Sequence, residues 1–247
     1  MRRVKRRTFS GVVCEQEVYD VSERADIKRA EPRARFKTDE EREQHRIGIS
    51  RRNCARLFNE NFNPQSLYST LTFDVENEVH EWKDGKKLRD LFVRRLKYAF
   101  PEAVIFIFMG RGKKTQRFHL HMVSNGIPEE FIKQKWEFGS VLRIEHLREH
   151  NYYDGVDHGQ DYTGLANYLF DHWTPEQGGH RWKQTRNARK PDRETPKEVK
   201  RIYTESKPPR APKGYILVET RSTKYGYLYF KYVKEPEKRK RKRAASG

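Results

Sequence analysis

Two histidines one residue apart, His119 and His121, sit in the run "QRFHLHMV" (residues 116–123), and a tyrosine, Tyr168, sits in "YTGLANYLFDH" (residues 162–172). Successive side chains of a strand point to opposite faces. On a strand, Phe118, Leu120 and Met122 therefore turn toward a core, and both imidazoles turn together to the other, polar face. Neighbouring neutral imidazoles are the commonest side-chain ligands of a divalent ion, and their spacing also suits two surface histidines of an ordinary sheet. In a helix over 162–173, Tyr162, Leu165, Ala166, Leu169 and Trp173 make an apolar stripe. Tyr168 and His172 fall one turn apart at the edge of that stripe, with Asp171 just beyond. A tyrosine at such an edge packs its ring and presents its hydroxyl to a neighbouring surface.

The elements around these residues are readable from periodicity. "SLYSTLTFDV" (66–75) alternates, with Leu67, Leu71 and Phe73 on one side and Tyr68, Thr70, Thr72 and Asp74 on the other, as in a half-buried strand. A helix follows over 84–101, ended by Pro101, and the apolar run "AVIFIFM" (103–109) suits a central strand. After the turn-prone "GRGKKT" comes the histidine strand, then a short helix over 128–139 and an alternating strand over 140–147. Residues 39–59 read as a further helix weakened by Gly48, with Arg46, Arg51, Arg52 and Arg56 as a phosphate path or a solvated face. The last regular element is a hairpin, "GYILVET" and "KYGYLYFKYV", in which Tyr225, Tyr227 and Tyr229 read as packing residues. The order β-α-β-β-α-β-α-β-β predicts an α+β fold: a central antiparallel sheet with helices on one face and the site on the other.

This reading divides the chain into a basic N-terminal arm and helix (1–54), a core (55–173), a charged connection (174–213), a hairpin completing the domain (214–233) and a basic, disordered tail (234–247). Lysine and arginine number 53 against 35 acidic residues, a net charge of +18. Such an excess repels itself unless a polyanion relieves it, and nucleic acid does so by phosphate neutralisation and counterion release. No run approaches the roughly 20 apolar residues of a bilayer span, and the basic N-terminus lacks the apolar segment of a secretory signal. Cys14 and Cys54 have no metal-ligand spacing and read as free thiols in a reducing compartment.

Together these segments resemble the HUH endonuclease superfamily, specifically the rolling-circle replication initiators of phages, plasmids and integrative elements. "YSTLTFD" is similar to the family's first motif, "RFHLHMV" to its His-hydrophobic-His motif, and "LANYLFDHW" to the helix carrying its nucleophile. "KWEFGSVLRIEHL" also matches a stretch that often lies between the second and third motifs, so the resemblance covers roughly residues 55–173. It implies that His119 and His121 hold Mg²⁺ or Mn²⁺ against a scissile phosphate. Tyr168 would then attack the phosphorus, leaving a 5′-phosphotyrosine and a free 3′-OH, with His172 or Asp171 assisting. The third ligand stays open among Glu145, His146, Asp171 and His172. Thr70, Thr72, Arg51, Arg52, Arg111, Lys113 and Lys114 are the expected nucleic-acid contacts.

The implied partners are single-stranded origin DNA, a separate helicase and a host polymerase, in the cytoplasm of a prokaryotic host. Helicase work falls to another protein because no Gly-rich Lys-Ser/Thr phosphate loop is present in the chain. Two departures from the family pattern stand out. Many relatives carry an acidic ligand where this chain has Met109 and Gly110, and often a lysine where it has Asp171. Tyr162 is a rival nucleophile but belongs to the apolar stripe, and Tyr152 and Tyr153 lie in a polar loop. The competing functions are a non-catalytic nucleic-acid-binding protein on the same fold and a metal-dependent nuclease using activated water.

Overall fold

The computed structural model describes residues 1–32, 36–112, 117–172 and 182–235. Its first half contains β1 (Arg2–Ser10), β2 (Val13–Val21), α1 (Asp39–Asn61), β3 (Leu67–Thr72), α2 (Trp82–Ala99), β4 (Ile105–Arg111) and β5 (Phe118–Ser124). Then follow α3 (Glu129–Lys135), β6 (Val141–His146), β7 (Tyr152–Tyr153), β8 (Val156–Asp157) and α4 (Thr163–Asp171). The chain continues with β9 (Trp182–Gln184), β10 (Asp192–Arg193), β11 (Lys197–Glu198), β12 (Tyr215–Ser222) and β13 (Leu228–Lys234). The fold is α+β with antiparallel sheets, and it divides into two compact units. Among the described residues no helix is long and apolar enough to cross a membrane.

One unit comprises Ala34–Glu149 and Tyr162–Asp192. Its sheet has the order β6-β3-β5-β4-β9 over the described residues, which puts the histidine strand β5 in the middle. Directly opposed residues of paired strands share a face, so the register sorts the side chains. Leu71, Ile107, Leu120 and Met122 face α2 and α3, where they pack with Phe92, Leu96 and Ile132. Tyr68, Phe106, Phe108 and Val123 face the other way, onto Cys54 and Phe58 of α1, Phe62 at its C-terminal cap, and Ala166, Leu169 and Phe170 of α4. Helices therefore cover both faces, which corrects the expectation of helices on one face only. The reason lies in β4, whose residues Ile105 to Met109 are all apolar and need cover on both sides.

The helix α1 begins at Thr38, whose side chain accepts from the Glu41 N–H at 3.2 Å and satisfies an otherwise unpaired donor. Its spacing of Cys54, Ala55, Phe58 and Phe62 supplies one apolar stripe. Phe58 is fully buried, with ring centroids 5.2 Å from Phe62, 5.3 Å from Phe106 and 5.9 Å from Phe108. Phe58→Ala is expected to cost about 3–5 kcal/mol, read as a shift in the urea midpoint of unfolding.

The second unit comprises Met1–Arg33, His150–Asp161 and Arg193–Gly247. Residues 2–21, expected as an irregular arm, form a hairpin of two nine-residue strands. Its strand β2 pairs with β13, so the C-terminal hairpin joins this sheet and does not complete the sheet that carries the histidines. Within the expected connection, β9 is an edge strand on β4 and β11 an edge strand on β1. Buried charge is paired in this unit: Arg6 donates to Glu17 at 2.9 Å, and Lys231 donates to Asp161 at 2.6 Å. The hydroxyls of Tyr227 and Tyr229 donate to Glu17 and Glu15, in keeping with packing roles. The basic tail expected over 234–247 falls beyond Glu235 outside the described residues, as do Lys113, Lys114 and Trp173.

Candidate active site

On β5, His119 and His121 share a face, with ring centroids 4.8 Å apart. The same register sets Thr72 and Gly110 beside His119, and Thr70 and Phe108 beside His121. The short helix α4 crosses this face, anchored by buried Ala166, Leu169 and Phe170. Tyr168 and His172 project from it one turn apart, with ring centroids 4.2 Å from each other. The ring of His172 lies 5.5 Å from that of His121 and 6.5 Å from that of His119. The Tyr168 ring lies 6.3 Å from that of His121, and the residue remains 47% exposed. Three imidazoles and the Tyr168 phenol thus gather at one end of the α1/α4 face.

Gly110 makes this approach possible. A Cβ there would stand 2.8 Å from the backbone oxygen of His172 and 3.5 Å from Nε2 of His119. The space beside Gly110 is thus filled by the end of α4. A longer side chain would push that helix end, with His172 on it, away from the sheet.

Burial lowers the His121 pKa to about 3, with a further push from His119 and His172. His119 is lowered too, chiefly by burial, against an opposing backbone hydrogen bond at Arg117. Both rings are therefore neutral at pH 7, the form that can ligate a cation. His121 Nδ1 lies 2.8 Å from the Tyr68 hydroxyl and 3.3 Å from that of Thr70. Its Nε2 is buried without a hydrogen-bond partner. Buried polar atoms are nearly always satisfied, so an unsatisfied ring nitrogen beside two further imidazoles fits a metal-binding role. The rings do not converge into a closed set: among the described residues no group of three or more His, Cys, Asp or Glu could hold an ion as it stands.

The other expected residues divide clearly. Asp171 is ion-paired with Arg51 of α1, whose guanidinium also lies 5.6 Å over the Phe170 ring, so these two tie α4 to α1. Glu145 opposes Tyr68 on the histidine face, yet its carboxylate is paired with Arg143. His146 opposes Leu67 and so lies on the face of α2 and α3, away from the other imidazoles. Arg111 stacks 4.3 Å over the Phe118 ring and donates to the His80 carbonyl at 2.9 Å, also on that far face. Thr72 donates to the Ser140 carbonyl at 3.2 Å, and Arg52 lies beside Arg51 on α1. Tyr162 is 2% exposed and donates to the Arg148 carbonyl, a core tyrosine as its place in the stripe suggested. Tyr152 and Tyr153 belong to the β7–β8 ladder of the other unit.

Sequence reasoning missed Tyr68 and the role of Gly110. Tyr68 could have been found, because it falls on the same side of the β3 alternation as Thr70. The use of Gly110 depends on where the chain returns at His172, which no local pattern carries. Comparison of the chain with family models, with curated proteins and with solved structures finds no match.

Proposed function

We propose that this protein is a single-strand DNA endonuclease and strand transferase of the HUH type, a replication initiator that nicks an origin through Tyr168. The observation that carries the reading is the placement of an exposed tyrosine, on its own helix, against two neutral histidines of a central strand. The net charge of +18 supports a polyanionic substrate. In the reaction, the Tyr168 oxygen attacks phosphorus; the new P–O bond forms as the bond to the 3′ oxygen breaks. The phenolic proton passes to His172, one turn away. The 3′ oxygen leaves as a hydroxyl after taking up a proton from water, and the 5′ phosphate stays on the tyrosine. Attack by a 3′-OH on that phosphotyrosine reverses the step and rejoins strands.

His119 and His121 would hold Mg²⁺ or Mn²⁺, which when bound supplies Lewis-acid stabilisation of the charge on the phosphoryl oxygens. Both rings are held neutral for that purpose by burial, and Thr70 and Thr72 line the same face beside them. A free 3′-OH primes synthesis, so a polymerase and a helicase of the prokaryotic host or the element itself are the proposed partners.

One observation favours a second reading. Gly110 leaves no room for a longer side chain beside His119, as in a DNA-binding protein that has lost its chemistry. The deciding experiment is a denaturing gel of the protein with end-labelled single-stranded DNA from the origin of its own element, with and without Mn²⁺. A Mn²⁺-dependent covalent adduct is expected. Cleavage without an adduct would mean activated water as the nucleophile, and retarded DNA with neither would mean a binding protein.

A further inference from the structure

The last turn of α4 carries Tyr168 and ends at His172, and α1 holds that helix at both ends. At its start the helix has no cap of its own: Tyr162 occupies the capping position and makes no side-chain cap hydrogen bond. Asn59 of α1 serves from outside, accepting from the Tyr162 N–H at 2.7 Å and donating to the Thr163 hydroxyl at 3.2 Å. At the other end, Asp171 is ion-paired with Arg51. Eight residues separate Arg51 from Asn59 and eight separate Thr163 from Asp171, about 12 Å of rise on each helix. The two helices therefore run antiparallel, with the two polar ties in register.

The two ties differ in kind. Asn59 is buried and satisfies a backbone donor, so it fixes where the helix begins. The Arg51–Asp171 pair is about half exposed, and such pairs add little to overall stability. Its effect is local. An acidic side chain in a last turn opposes the helix dipole, and α4 has no basic residue there to offset it. Arg51 provides that cation, with its guanidinium held over the ring of the buried Phe170. From the sheet side, the close approach of the His172 carbonyl to Gly110 stops the same helix end. Tyr168, three residues before Asp171, thus sits in a turn fixed between Gly110 and Arg51. We infer that Arg51 is a positioning residue, acting through Asp171 to hold Tyr168 and His172 over the histidine strand. The inference rests on the proposed nicking reaction, in which displacing the nucleophile by about 1 Å costs about 10²-fold in rate. It gives Arg51 a part in the rate, where its charge alone suggests only a contact with DNA phosphates.

The test follows adduct formation in single turnover, with the full-length protein, Mn²⁺ and end-labelled single-stranded DNA from the origin of its own element, over a range of protein concentrations. Arg51→Gln and Asp171→Asn are each expected to lower the saturating rate constant by about 10–100-fold. The charge-exchanged double variant, Arg51→Asp with Asp171→Arg, is expected to recover most of it. A phosphate contact gives a different pattern: Arg51→Gln would raise the half-saturating concentration at an unchanged rate constant, and Asp171→Asn, by freeing the guanidinium, would lower it. That pattern, or a double variant no faster than the single ones, overturns the inference. Amide hydrogen exchange of residues 168–172 in the DNA-free protein is the second readout. It is expected to quicken in both single variants and to return toward the wild-type rate in the double variant; unchanged exchange in all three counts against the tie. If the wild type forms no adduct, the nicking reading falls, and the part of Arg51 in that reaction falls with it. Exchange then still decides whether the pair holds the helix end.

Discussion

Tyr168→Phe is expected to abolish the covalent protein–DNA adduct and to lower strand cleavage by roughly 10³-fold or more, because it removes the attacking oxygen and nothing else. The side chain is 47% exposed, so losing the hydroxyl should change folding stability by less than about 0.5 kcal/mol. Tyr162→Phe is the matched control. That hydroxyl is buried against the Arg148 carbonyl, and removing it should cost stability, by about 1 kcal/mol, while leaving the adduct intact. The two variants thus separate chemistry from folding on one helix and the residue that caps its start. An adduct that survives Tyr168→Phe and disappears in Tyr162→Phe would reassign the nucleophile.

His121→Asn should act on both function and stability, with opposite signs at acid pH. Functionally it removes one of the two proposed imidazole ligands, and metal-dependent cleavage should fall by at least about 10²-fold. For stability, the folded-state pKa of His121 is about 3, lowered by burial and by His119 and His172, against 6.5 for the free side chain. Between those values the unfolded chain binds a proton that the folded chain refuses, so stability declines as pH falls from 6.5 toward 3. From pH 6.5 to pH 5 the loss attributable to this group is of order 1–2 kcal/mol. An asparagine does not titrate and lacks this loss. Urea midpoints measured in EDTA at the two pH values should therefore diverge more for the wild type than for the variant. Parallel pH dependence in the two proteins would rule out a buried, neutral His121.

Much of the site-bearing unit was legible because its signals are local. Alternation in "QRFHLHMV" placed His119 and His121 together, and helical spacing placed Tyr168 with His172. The N-terminal hairpin was not legible, because its inward positions carry charge. Arg6, Glu15 and Glu17 are buried, and the ion pair of Arg6 with Glu17 and the Tyr229 hydroxyl on Glu15 make that possible. To a window of ten residues, "RRVKRRTFS" is polar but for Val4 and Phe9, and "VCEQEVYDV" carries Glu15, Gln16 and Glu17 in its middle, which β13, distant in sequence, helps to bury. The ion pair of Asp171 with Arg51 was hidden for the same kind of reason, since it joins residues far apart in the chain. The second helical layer was implicit in the apolar run from Ile105 to Met109 in β4, whose two faces each needed cover.

The placement of the two halves of the site also sets how each can open. Strand β5 is hydrogen-bonded on both edges, to β3 and β4, in the centre of its sheet, whereas α4 has nine residues, too few to persist without its packing. Amide hydrogen exchange should therefore release the protons of residues 118–124 only when the whole unit unfolds, and those of 163–171 earlier, by detachment of one helix. The histidines would then hold their positions through fluctuations that lift Tyr168, the proposed nucleophile, away and return it. A strand trapped on Tyr168 could be carried through such an excursion while the sheet beneath it stayed folded.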